Sequence, residues 1–157
     1  MDPELIEMFE DIDPTDLPEE VAIDILMHSG MGLELSTQLF EDEKISPDTL
    51  LPIIHFIFFA KKKDAVDAAA EINEDIEHHH IWLRYSEEEA ASDDPLPWML
   101  IILQHGTVEA CTSEITLRDI MLPTAARGGV YDAFSYSIDD REPEKAWQAE
   151  EGDIELH

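Results

Sequence analysis

The chain has 157 residues, with 38 acids against nine bases and a formal net charge of -29, yet 44% of its residues are hydrophobic. That length and apolar content suit one ordinary domain with a real core, so the charge does not signify disorder. A polyanion is repelled by nucleic acid and by anionic lipid, which excludes direct binding to either. The single cysteine, Cys111, excludes an intramolecular disulfide and a cysteine-based zinc site.

The charge comes in blocks. Met1 to Asp48 holds fifteen acids and one base, Lys44. Thr49 to Lys63 holds no acid and three lysines. Asp64 to Asp94 holds eleven acids and one base, Arg84, and Pro95 to Tyr131 is nearly neutral. Nine further acids and two bases follow Tyr131. The neutral blocks are the expected core and the acidic blocks the expected surface.

In chain order, the N-terminal residues lack the basic and then apolar character of a signal peptide, and a cytoplasmic protein is expected. Asp16 stands three residues before Glu19, and Val21, Ala22, Ile25 and Leu26 follow at helical spacing. Gly30 and Gly32 are expected to end that helix. A short second helix follows, with Leu35, Leu39 and Phe40 on one face. Ser46-Pro47-Asp48 reads as a helix start, with a serine cap and proline at the first helical position. The helix it opens, Thr49 to about Lys62, is apolar nearly all round and is expected at the centre of the core. On that reading Lys61, Lys62 and Lys63 sit at its C-terminus and complement the helix dipole.

Asp64 to about His79 reads as an amphipathic helix, with Ala65, Ala69, Ile72 and Ile76 on one side. Helix is expected again from Ile81 to Ala91, before Ser92-Asp-Asp-Pro95 breaks the chain. Trp98 to Leu103 is a continuous apolar run that periodicity alone leaves open between strand and buried helix. His105-Gly106 fits a hairpin turn or a helix end. Ile115 to Leu122 is equally open, with Thr112 or Ser113 as a cap. Val130 to Ile138 gathers aromatic residues and is expected to dock on the core. The expected architecture is therefore mainly α: a single compact acidic helical domain over residues 1–140, with room for a small β-hairpin in its C-terminal third. Residues 141–157 form a polar tail, in which Trp147 is an available anchor.

Five carboxylates, Asp64, Asp67, Glu71, Glu74 and Asp75, share an arc of about 100° on the amphipathic helix. At a 1.5 Å rise they give about one charge per 3.3 Å, close to the ~3.4 Å spacing along one DNA strand. For a single acidic helix the plain alternative is a solvated face. The whole-chain charge adds weight, since twenty-nine charges at DNA's ~1.7 Å spacing would cover about 49 Å, more than a ~40 Å domain diameter. The five carboxylates are the expected partner-binding residues.

Glu77, His78, His79 and His80 suggest a metal site, but consecutive helical residues point about 100° apart and cannot converge on one ion. No metal and no cofactor is expected. No G-x-S-x-G elbow or G-x-x-x-x-G-K-[ST] loop appears, and no enzyme activity is expected. Cys111 lies in a neutral stretch and reads as an inert buried thiol.

The composition matches that of proteins that phages and mobile elements turn against restriction, a comparison resting on charge alone. The leading expectation is a non-enzymatic, DNA-mimic-like inhibitor of a basic nucleic-acid-binding or defence protein. The alternative is an acidic chaperone or immunity-type protein that neutralises a basic secreted partner. Exposed apolar residues around Met27, Met31 or Trp147 would favour that alternative. A homodimer fits the leading expectation, because lining up two acidic faces extends the mimicry.

Overall fold

Leu51–Phe59, expected as the central helix, is a β-strand (β1). Its sequence, Leu-Pro-Ile-Ile-His-Phe-Ile-Phe-Phe, is rich in β-branched and aromatic residues, which favour a pleated surface. Seven of its nine residues are buried, on both faces of a sheet, and a doubly covered strand reads as a continuous apolar run. Ser46-Pro47-Asp48 forms a turn before it, closed by Thr49 N–H donating to the Ser46 carbonyl at 2.9 Å. Proline suits the second position of such a turn as well as the first of a helix.

The computed structural model describes residues 19–76, 80–93, 95–138 and 152–156. Around β1 the chain forms α1 (Glu19–Glu43), α2 (Lys62–Asp75), β2 (His80–Tyr85), α3 (Glu87–Ala90) and β3 (Trp98–Gly106). It continues through α4 (Val108–Cys111), α5 (Glu114–Ala126), β4 (Val130–Tyr136) and β5 (Ile154–Leu156). About 50% of the described residues are helical and 28% are strand. The fold is α+β, which overturns the mainly α expectation: the apolar runs at 51–59 and 98–106 pair with each other instead of packing as helices. Ile81 to Ala91, expected as one helix, is the strand β2 as far as Tyr85 and then the short α3. The expected small hairpin is likewise replaced, since β3 leads into the helix α4.

The sheet runs β4-β1-β3-β2-β5, and all its neighbours are antiparallel. β1 and β2 flank β3, so α2 carries the chain across that strand. β3 and β4 flank β1 in the same way, with α4 and α5 in the crossover. This is the doubled split β-α-β arrangement of the ferredoxin-like type, with α1 added before it and β5 added at one edge.

One sheet face carries Ile57, Phe59, Ile81, Leu83, Leu100 and Ile102 against Ala65, Ala68, Ala69 and Ile72 of α2 and Leu117 and Ile120 of α5. Each large side chain buried there contributes roughly 1.5–3 kcal/mol relative to exposure. The small alanines let α2 lie close to the strands. Gly129, just before β4, is needed for the same reason: a Cβ there would fall 2.5 Å from the Phe59 ring. On the other sheet face Ile54, Trp82, Ile101 and Leu103 form a separate buried cluster.

α1 is one continuous helix through Gly30 and Gly32, not two. It packs on α5 and α4, and Gly32 is the contact point, since a Cβ there would lie 1.9 Å from Thr112 Oγ1. The expected cap at Asp16 lies outside the described residues. α5 starts at a Ser113 cap whose hydroxyl accepts from Thr116 N–H at 3.2 Å.

Candidate functional site

The acidic helix expected from Asp64 exists as α2, ending at Asp75. Asp67, Glu71, Glu74 and Asp75 are exposed and Asp64 is half-buried. At 1.5 Å per residue its fourteen residues span about 21 Å. The stripe is not purely acidic. Arg127, at the C-terminal cap of α5, donates from Nη2 to Glu71 Oε1. Its guanidinium is pushed above its ordinary range, first by that hydrogen bond and then by the charges of Glu71, Asp67 and Asp64. Three of the five carboxylates thus gather around one cation. Asp75, at the other end, faces Asp119, whose carboxyl is held above its usual range by burial first and then by Asp75, with Arg118 opposing.

Lys62 and Lys63 open α2, and Lys61 is its N-cap. The expectation that these lysines complement a helix C-terminus is therefore wrong: they stand at a positive helix end, where cations are disfavoured. Lys62 has another partner, with its Nζ 5.7 Å from the centroid of the Trp98 ring.

The sequence reading named Met27 and Met31 but missed the rest of the outer face of α1. The helix buries Ile25, His28, Ser29, Gly32 and Leu39. Ile23, Leu26, Met27, Met31, Leu33 and Phe40 stay 49–60% exposed. Ile23, Leu26, Gly30, Leu33, Thr37 and Phe40 alternate at steps of three and four, the spacing of a heptad seam. That signal was in the sequence, but dividing the helix at Gly30 concealed it.

Beside α1 lies a cleft of about 430 Å³, lined by Glu20, Val21 and Asp24 of α1, Met121, Thr124 and Ala125 of α5, and residues 128–131. Its walls are mainly apolar, with two carboxylates at the α1 edge. Behind it runs a buried polar chain. Tyr131 O–H donates to His55 Nδ1 and His55 Nε2–H donates to Gln104 Oε1, each at 2.7 Å. Burial pulls His55 down to about 4, against the raising effect of Gln104 and with a smaller lowering from His28. Burial, then the charge of Asp132, pushes the Tyr131 hydroxyl up. The ladder between β1 and β4 shifts register at Phe56/Ile57 and skips Asp132, whose carbonyl lies 3.3 Å from His28 Nε2. Each group in this chain has a structural partner and none faces an open cavity alone.

Cys111 is buried, and burial pushes its thiol up to about 12. His80 stacks on Trp82 and bonds Glu155 at 2.5 Å, while residues 77–79 lie outside the described residues. Among the described residues no three His, Cys, Asp or Glu side chains could hold a metal ion, and no helix is long and apolar enough to cross a membrane. Trp147 lies outside the described residues. No protein-family model matches the chain, and no curated protein matches it.

Proposed function

We propose that this chain is a non-enzymatic acidic binding protein that occupies the cation-rich surface of a basic protein, of the kind that binds nucleic acid. The observation that carries this reading is the charge of -29 on a chain whose core clusters contain no acid among the described residues. Such a field speeds encounter with a basic partner and repels wrong ones. On α2, the exposed carboxylates of Asp67, Glu74 and Asp75 supply part of the contact. Glu71 contributes less, because Arg127 is hydrogen-bonded to it, and Asp64 contributes less because it is only half-exposed.

A second reading, an acidic chaperone or immunity-type partner of a basic protein, is favoured by one specific observation. Met27 and Met31, whose exposure would favour that reading, are about half exposed on α1. Contacts of this kind join apolar anchors to a charged rim and resist salt better than charge alone.

The test is capture from a nuclease-treated bacterial lysate with stepwise salt elution. The first reading expects nucleic-acid-binding proteins released below about 0.5 M NaCl, where screening is nearly complete. It also expects capture to fail for the Asp67→Lys, Glu74→Lys, Asp75→Lys variant. Retention of one partner above that salt, unchanged by the three reversals, would replace the first reading with the second.

A further inference from the structure

We propose that the outer face of α1 is a docking stripe for an amphipathic, lysine- or arginine-rich helix of a partner protein. The proposal rests on the acidic-binding reading above and adds a surface and the shape of the partner. The stripe has the geometry of a helix seam. Leu26, Leu33 and Phe40 recur every seven residues, with Ile23, Gly30 and Thr37 recurring beside them. α1's opposite side is already committed to the core through Ile25 and Leu39. The four large side chains on the stripe, Ile23, Leu26, Leu33 and Phe40, are each about half exposed and offer on the order of 400 Å² of apolar surface, within the range of the largest patch on a typical monomer.

Gly30 points the same way. A glycine in a helix interior weakens the helix, and Gly32 has a reason to be one, because Thr112 packs against it. A Cβ on Gly30 would meet nothing within 4 Å. No neighbour among the described residues requires this glycine. On the outside it leaves a notch in the middle of the stripe, where a second helix backbone can approach closely.

Charge selects the occupant. The centre of the stripe, residues 25–33, has no carboxylate, lysine or arginine. Stepping 100° per residue, Glu34 and Glu41 fall inside the stripe's arc and Glu20 and Asp24 along one margin. A second copy of this chain would bring those same acids, and a net charge of -29, against themselves. A basic amphipathic helix instead places apolar side chains on the neutral centre and cations on the acidic margin. Glu20 and Asp24 also line the cleft beside α1, where a lysine or arginine side chain from that helix would extend.

The probe is a synthetic peptide of leucine and lysine with leucines at heptad a and d positions, compared with a shuffled peptide of identical composition. Binding to the full chain is followed by fluorescence anisotropy at about 0.15 M NaCl, where the Debye length is near 8 Å. The striped peptide is expected to bind at least about tenfold more tightly than the shuffled one. In the Leu26→Gln, Leu33→Gln variant that advantage disappears, while the circular dichroism spectrum and the binding of the shuffled peptide stay unchanged. Both residues are exposed, so the variant keeps its fold. Equal affinity for the two peptides, or an advantage that survives the substitutions, overturns the docking stripe and leaves the acidic-binding reading standing. If neither peptide binds at low salt, that reading fails as well. A wild-type dimer in sedimentation that the variant abolishes assigns the stripe to a second copy and overturns the proposal.

Discussion

His55 is a histidine that folding keeps neutral. It sits fully buried between Tyr131 and Gln104, titrating near 4 against 6.5 for a free imidazole. Between those values the unfolded chain binds a proton that the folded chain refuses. This contribution to stability is therefore complete above about pH 6.5 and declines as pH falls toward 4, by roughly 3 kcal/mol in total. His55→Gln keeps a polar group in the site and removes the titration. Urea unfolding at pH 7 and pH 4.5 should show wild type losing more stability on acidification than the variant. Equal losses would mean that His55 is not the group responsible.

At the scale of elements, the two glycines of α1 separate inner from outer face. Gly32→Ala forces a methyl into Thr112 and should destabilise by about 2 kcal/mol or more, the cost of overpacking a close contact. Gly30→Ala meets open space and should stabilise by about 0.5–1 kcal/mol through helix propensity. Thermal unfolding of the two variants checks both signs, and a destabilising Gly30→Ala would show that the outer face is packed within the chain. These elements also show where the sequence was readable. The inner face of α2 was legible because period is a local signal, whereas the cap of α5 was narrowed only to Thr112 or Ser113, and Ser113 is the one that caps. β1 was not, because a strand buried on both faces has no alternation and its leading Ser-Pro-Asp suits a turn and a helix start alike. The carboxylates of α2 were legible from helical stepping alone. Arg127, which binds Glu71, was not, being 56 residues away and brought there only by the packing of α5 on α2.

For the molecule as a whole, the imbalance of acids over bases works against compactness. Local ties relieve it in a few places: Arg84 donates through Nε and Nη2 to both carboxylate oxygens of Asp153, and Arg127 to Glu71. Most of the acids have no such tie available, because there are only nine bases. Screening should therefore stabilise the fold. Raising NaCl from about 0.02 to about 0.3 M, which shortens the Debye length severalfold, should raise Tm. A midpoint that is flat or falls with salt would mean that the ion pairs outweigh the repulsion. The size of the charge was legible from composition alone. Its arrangement was not, because the sheet order decides which acidic blocks become neighbours.

That order gives the short β5 an influence out of proportion to its three residues. It lies on β2, opposite Ile81, Trp82 and Leu83, and the Asp153–Arg84 pair fastens the approach to it. Without it, β2 would present a bare hydrogen-bonding margin with apolar side chains on both faces, a template onto which another chain can add as a strand. β5 thus takes up the hydrogen-bonding margin of β2 opposite Ile81, Trp82 and Leu83, and losing it would turn a paired edge into an adhesive one.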